Sequence, residues 1–214
     1  MISFIIPALN EEKRVGKTVQ SVKQAFPKSE VIVVDDASQD KTSFVAGKAG
    51  ARVIRNPENM GFTESVRRGV QASRGDVLVK IDADGEIPIQ YFEKAVEKLE
   101  NYDIVIGRKE GFHRPSEKII SFTTSLFTRL PYGADVMPGL IVFKRKVYDE
   151  IGFDERESWL YGFLLKAVKR KRGIGLVPIK FRKRKDSRIG YSFKSDLKLL
   201  SAGLRAFVHV YLGF

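Results

Sequence analysis

Residues 75–88 read Gly-Asp-Val-Leu-Val-Lys-Ile-Asp-Ala-Asp-Gly-Glu-Ile-Pro. Asp76–Ile81 is a short apolar run, too short for a helix and right for a buried strand. It passes directly into Asp82-Ala83-Asp84. Pro88 then opens a helical stretch predicted over Pro88–Leu99. Two carboxylates at i and i+2 after a strand share one side, so their repulsion needs relief. A divalent cation supplies it, and Mg²⁺ or Mn²⁺ takes carboxylate oxygens together with phosphate oxygens. Glu86, two residues on, is a third candidate ligand, directly or through water. The alternative is that the aspartates cap the helix after Pro88.

The same rhythm extends to either side. Ile2–Ile6 is a strand ended by Pro7, and Asn10-Glu11-Glu12 can cap a helix carrying Val15, Val19, Val22 and Phe26. Glu30–Val34 is a second buried strand running into Asp35-Asp36. Lys41–Ala49 reads as a helix, Arg52–Ile54 as a strand, residues 56–61 as a loop, Phe62–Ser73 as a helix and Ile104–Ile106 as a fifth strand. Near-continuous apolar strands alternating with helices predict an α/β fold, a parallel sheet covered on both faces. In such sheets ligands bind at the carboxyl ends of the strands. Asn10–Glu12, Asp35-Asp36 and Asp82–Glu86 all follow strands, so they converge on that edge. Asp35 or Asp36 is placed there to accept from a base N–H or a ribose hydroxyl, or else to cap the Lys41 helix.

The second half is less regular. Ser116–Leu130, Lys146–Ile151 and Trp159–Lys171 are predicted helices, and Gly139–Phe143 and Leu176–Phe181 strands. Lys183–Tyr191 is a basic loop. Leu197, Leu200, Leu204, Phe207, Val208 and Tyr211 recur at helical spacing, so the last segment is an amphipathic helix. It either packs on the core or lies in a membrane interface.

Composition removes several classes. The 214 residues contain no cysteine, which excludes a disulfide framework, a cysteine-ligated zinc and a thiol nucleophile. No stretch approaches the roughly 20 apolar residues of a membrane-spanning helix. The opening MISFIIPALN lacks the basic region and cleavage site of a signal peptide. Phosphate-loop, dinucleotide-fingerprint and nucleophile-elbow motifs are missing. The net charge of +12 lies entirely in the second half: residues 1–107 hold 15 Lys and Arg against 16 Asp and Glu, and residues 108–214 hold 23 against 10. Such a field draws an anionic partner. The basic block has no interleaved aromatics and no RNP-like or helix-turn-helix signature, so nucleic acid is disfavoured as that partner.

The segments FIIPALNEE, EVIVVDDASQDKT, NPENMGF, GDVLVKIDADGE and DIVIGRK, in this order and spacing, resemble family 2 glycosyltransferases of the GT-A fold. The resemblance covers residues 2–192 and is strongest to the dolichol-phosphate mannosyltransferase and polyprenyl-phosphate glycosyltransferase group. It implies a GT-A domain over residues 1–194, a Rossmann-like, mostly parallel sheet flanked by helices, with the amphipathic helix at 195–214. It implies inverting transfer of mannose or glucose from a GDP- or UDP-linked donor to a polyprenyl or dolichyl phosphate. It implies Mg²⁺ or Mn²⁺ as cofactor and a location at the cytoplasmic membrane face, by peripheral contact or through a separate membrane-anchor subunit. Carried over by position, Pro7, Asn10 and Glu11 line the nucleotide, Asp36 contacts base or ribose with Asn59 beside it, and Asp82 serves nucleotide and metal. Asp84 and Glu86 complete the metal set. Arg108, Arg114 and Arg184 face the acceptor phosphate, and Asp135 and Gly139 lie on the acceptor side.

Two departures bear on the acceptor. The loop after Arg184 is longer than the family's and displaces its lysine to Lys194 at best. The region Asp154–Trp159 lacks the Glu-Asp pair that relatives use as general base toward sugar hydroxyls. A hydroxyl needs a base, whereas an ionised phosphate needs only positioning and charge neutralisation. The sequence therefore favours a phosphate nucleophile. The alternatives are a glycan or other hydroxyl acceptor, with Glu155 or Glu157 as base, and a nucleotide-sugar-binding protein without turnover.

Overall fold

A computed structural model describes residues 1–110, 125, 139–153 and 159–180. The strands are β1 (Ile2–Ala8), β2 (Glu30–Asp35), β3 (Arg52–Arg55), β4 (Val77–Ile81), β5 (Ile104–Lys109), β6 (Leu140–Lys144) and β7 (Ile174–Ile179). The helices are α1 (Val15–Ala25), α2 (Thr42–Lys48), α3 (Phe62–Ala72), α4 (Gln90–Lys98), α5 (Arg145–Ile151) and α6 (Trp159–Lys169). The seven strands form one sheet in the order β3-β2-β1-β4-β6-β5-β7.

The apolar runs are continuous because both faces of the sheet are covered. Phe4, Ile6, Val79 and Ile81 pack with Val19 and Val22 of α1 and Phe92 of α4. Their strand neighbours Ile5 and Leu78 join the opposite cluster, with Val66 and Val70 of α3 and Phe163 of α6. Each fully buried side chain of this kind contributes about 1.5–3 kcal/mol.

Six strands run parallel and one does not. β6 pairs antiparallel with both β4 and β5, whereas the sequence rhythm alone predicts only parallel neighbours. β5 ends, and β6 begins, at the carboxyl edge, so β6 can only run back toward the opposite edge. It inserts between β4 and β5 and carries the second half of the chain into the sheet.

The amino-terminal edge is held by polar staples. The Met1 amine bonds Asp76 Oδ2 at 2.8 Å. Gly75 N–H donates to Ser3 Oγ at 2.8 Å, and Ser3 Oγ–H donates to Glu30 Oε2 at 2.6 Å. Arg145, just past β6, donates from Nε to the Gly75 carbonyl at 2.6 Å and from Nη2 to the Ser73 carbonyl at 2.9 Å. No described helix is long and apolar enough to cross a membrane. The predicted helices Ser116–Leu130 and Leu197–Phe214 and the loop Lys183–Tyr191 lie outside the described residues, apart from Ser125.

Candidate active site at the carboxyl edge of the sheet

The acidic segments do gather on the carboxyl edge, and each is fixed there by polar contacts that the linear sequence does not reveal. The turn after β1 is stitched to the turn after β2. Asn10 N–H donates to Ser38 Oγ at 2.9 Å, Glu11 N–H to Thr42 Oγ1 at 2.8 Å and Glu12 N–H to Asp40 Oδ2 at 3.1 Å. In return Gln39 N–H donates to Asn10 Oδ1 at 2.8 Å. Asn10 takes a left-handed backbone, φ 55°, which asparagine tolerates better than most residues. The expectation that Asn10–Glu12 caps α1 is therefore corrected: α1 has no side-chain cap, and its entry is bridged by Arg14 and Val15 N–H on the Glu11 carbonyl. Glu11 itself pairs with Arg14 at 3.1 Å.

Asp40, at the centre of this stitching, also accepts from the N–H of Thr42 at 2.9 Å and from its hydroxyl. Burial alone would raise its carboxyl, but the Thr42 hydroxyl and the N–H groups of Glu12 and Thr42 together hold it below the ordinary carboxylate value.

The adjacent aspartates divide their work. Asp35 is fully buried. It accepts from Arg55 Nη1 at 2.8 Å, from Ser38 N–H at 2.9 Å and from the Ser43 hydroxyl. It is thus a structural anchor for the β2–α2 turn. Asp36, 5% exposed, organises the 56–61 loop. Its Oδ1 accepts from Asn56 Nδ2 at 2.7 Å and Met60 N–H at 2.8 Å, and its Oδ2 from Gly61 N–H at 2.9 Å. Neither aspartate caps α2, whose first residue Thr42 is bonded by Asp40. Asn59 stands exposed in the loop that Asp36 holds. Pro7 is buried in β1, in register with Val34.

The turn after β4 carries the three carboxylates expected as metal ligands. Thr18 of α1 donates its hydroxyl to the Ala83 carbonyl at 2.9 Å, which fixes the middle of Asp82-Ala83-Asp84 from below. Asp84 Oδ1 accepts from Glu86 N–H at 3.0 Å across Gly85, whose φ is 68°. The pair does not cap the following helix: α4 starts at Gln90 and has no side-chain cap. Among the described residues no three acidic or histidine side chains converge as a ready-made metal cage. Asp82, Asp84 and Glu86 are each part-exposed on one turn, a donor set that suits a hard cation bound by one or two carboxylates with the remaining positions filled by phosphate.

Asp82 sits in a tight setting. Its Oδ1 lies 2.7 Å from Lys80 Nζ, with the two side chains 36% and 5% exposed. The lysine ammonium lies 4.9 Å from the centre of the Phe62 ring. On the other side, a Cβ placed on Gly139 would meet Asp82 Oδ2 at 2.7 Å and Ile87 Cδ1 at 2.6 Å. Only glycine leaves that carboxylate its place. Register pairs Ile81 with Leu140 and Ile106 with Ile141. Continued one step beyond Ile81 and two steps beyond Ile106, the same register sets Asp82 and Arg108 on either side of Gly139, two strand spacings or about 10 Å apart. Arg108 is exposed at the end of β5. The edge thus carries a carboxylate group on β4 and a guanidinium on β5, flanking the first turn of β6.

Three predicted residues, Arg114, Asp135 and Arg184, lie outside the described residues, as do Asp154, Glu155, Glu157 and Lys194. Sequence reasoning missed Lys80, Asn56 and the Ser38-Asp40-Thr42 set. Lys80 had a signal: a lone charge in an apolar strand, two residues before Asp82 and therefore on its face.

Comparison with known proteins gives the family and the fold. The family model for glycosyl transferase family 2 matches residues 3–152. An uncharacterised protein of Methanocaldococcus jannaschii is 32% identical over 84% of this chain and 80% of its own length. The undecaprenyl-phosphate mannosyltransferase of Micrococcus luteus is 31% identical over 83% of this chain and 82% of its own. Among solved structures, the glucosyl-3-phosphoglycerate synthase of Mycobacterium tuberculosis in complex with UDP shares the fold, with a TM-score of 0.79 at 21% identity over 98% of this chain and 79% of its own.

Proposed function

Because the chain belongs to glycosyl transferase family 2, we propose that it transfers a hexose, with inversion, from a GDP- or UDP-linked donor to a polyprenyl phosphate. The observation that carries this reading is the opposition of charge across Gly139: Asp82 and Asp84 on one side, Arg108 on the other.

In this reading Asp82, Asp84 and Glu86 would hold Mg²⁺ or Mn²⁺, which neutralises charge on the departing nucleoside diphosphate. The protein's own part is placement. Asp36 sets the 56–61 loop, and with it the wall of the nucleotide crevice. Asn10 and Glu11 line the crevice from the β1 side, with Pro7 beneath and Asn59 at the rim. Arg108, joined by Arg114 and Arg184, holds the acceptor phosphate, whose ionised oxygen needs no general base. That oxygen bonds to the anomeric carbon on the face opposite the leaving group, as the bond from that carbon to the diphosphate oxygen breaks.

The lipid half of the proposal is supported by the similarity to the undecaprenyl-phosphate mannosyltransferase of Micrococcus luteus and by exposed apolar side chains on the same edge: Leu9 43%, Met60 42% and Phe62 45%. Leu9 follows β1, while Met60 and Phe62 flank Gly61, and the N–H groups of Met60 and Gly61 are bonded to Asp36. An isoprenoid chain meets less water along such a rim. The basic second half suits attachment at an anionic membrane face, directly or through a membrane subunit.

The test is incubation with Mn²⁺ and a panel of GDP- and UDP-sugars, with and without short polyprenyl phosphate. Formation of lipid-linked sugar that vanishes in Asp84→Ala is expected. Transfer to glycan hydroxyls with none to lipid phosphate overturns the acceptor assignment.

A further inference from the structure

One charged group in the site has no part in the transfer outlined above. Lys80 lies in β4 with its side chain 5% exposed, its ammonium 2.7 Å from Asp82 Oδ1 and 4.9 Å from the centre of the Phe62 ring. Burying an ammonium is costly, and a hydrophobic side chain of like volume serves a fold as well or better. The strand's other residues are Val77, Leu78, Val79 and Ile81, so β4 forms from apolar side chains and gains nothing in packing from a charge at position 80. What the charge does act on is Asp82.

We propose that Lys80 is a fixed counter-cation that weakens the hold of the acidic turn on a divalent ion until a nucleoside diphosphate arrives, so that ion and nucleotide are captured together. The inference rests on the reading of Asp82 and Asp84 as the donor and metal site. Asp82, Asp84 and Glu86 bring three negative charges to one short turn, and Lys80 returns one positive charge at contact distance. An ion approaching alone meets an ammonium already on Oδ1. The diphosphate changes this balance. Its negative charge offsets the ammonium, and the ammonium in turn lowers the repulsion between the phosphates and the acidic turn. Each ligand therefore strengthens the other by the same factor, as linkage requires. After transfer the same coupling works in reverse: neither ion nor nucleoside diphosphate is retained strongly once the other leaves.

The test measures binding, with no turnover involved. Mn²⁺ is titrated into the full chain by calorimetry, alone and with saturating GDP or UDP, for the wild type and for Lys80→Met, Lys80→Gln and Lys80→Arg. The wild type is expected to bind Mn²⁺ alone weakly and at least tenfold more tightly with nucleotide. Lys80→Met and Lys80→Gln are expected to bind Mn²⁺ alone about tenfold more tightly than the wild type, with the coupling reduced by the same factor. Lys80→Arg retains the charge and the weak affinity. Should Lys80→Met fail to fold, the contrast between the glutamine and arginine variants decides, and melting curves identify folded protein. Mn²⁺ affinity that is unchanged or weaker in folded charge-free variants, yet lost in Asp84→Ala, overturns the role of Lys80 and leaves the site reading intact. A wild type that binds neither Mn²⁺ nor nucleotide overturns both.

Discussion

The carboxylate of Asp36 and the side-chain amide of Asn56 meet at 2.7 Å inside the protein, twenty residues apart in sequence. Asn56 also donates to Ser65 Oγ at 3.0 Å and accepts from Arg68. The 56–61 loop is therefore tied to α3 as well as to β2. Asp36→Ala strips the acceptor from Asn56 Nδ2 and from Met60 and Gly61 N–H. A stability loss of about 1–3 kcal/mol is expected, with donor KM raised at least tenfold and kcat changed less. Urea denaturation and steady-state kinetics check both. A variant with wild-type donor KM removes Asp36 from the crevice wall.

Gly139→Ala sets a methyl group against Asp82 Oδ2 and Ile87 Cδ1, at the 2.7 and 2.6 Å given by the backbone. Overpacking of this kind costs about 1–3 kcal/mol. The larger effect is expected on the site, because Asp82 must move. The double variant Gly139→Ala/Ile87→Val should regain stability by relieving the apolar clash while donor binding stays impaired. If donor binding recovers along with stability, the contact with Asp82 has no functional weight.

The acidic turn allows two degrees of damage to be compared. Asp84→Ala removes a proposed ligand on a part-exposed turn, so the melting temperature should hold while kcat/KM falls by about 10³, equivalent to several kcal/mol. Thr18→Val removes only the hydroxyl that holds the Ala83 carbonyl. Supports of this kind typically carry tenfold or more in metal affinity or activity, so a loss of about tenfold is expected. Equal losses in the two variants would mean that Thr18 does more than hold the turn.

Asp40 gives a pH dependence with a definite sign. Its carboxyl is depressed in the folded state relative to the ordinary value of 3.8. It therefore contributes stability that is fully present above about pH 4 and lost as the pH falls through the lower folded value. Asp40→Asn should cost about 1–2 kcal/mol at pH 7, and the gap to the wild type should narrow steadily below pH 4. Urea denaturation at pH 7, 4 and 3 measures it. A gap that stays constant down to pH 3 contradicts the assignment.

The strands and helices of the first half are legible in the sequence because their signals are local. Phe4, Ile5 and Ile6 are apolar in succession since both faces of β1 are covered, and Val15, Val19 and Val22 share one helical face. The convergence of Asp36 and Asp82 on one edge follows from the same rhythm. What is not legible depends on distant partners. The reversal of β6 is set by where β5 ends, which no periodicity within 139–143 records. Asp36 reads as a free acceptor until Asn56, Met60 and Gly61 are brought onto it. The Asn10–Glu12 segment reads as a helix cap until Ser38, Asp40 and Thr42 are seen to take its N–H groups. Lys80 is a lone charge in an apolar strand, a signal the sequence reading passes over, and its meaning needs the 2.7 Å contact with Asp82.

The staples among Met1, Ser3, Glu30, Gly75, Asp76 and Arg145 all lie on the margin of the sheet opposite the chemistry. Strand order is thereby held from the rim opposite the candidate site, in addition to the anchors that Asp35, Asp36 and Asp40 supply beside it. The connections on the rim bearing Arg108 make none of these contacts. For anyone wishing to redirect such a transferase, the place to graft is the rim bearing Arg108, and the place to leave untouched is the rim bearing Arg145.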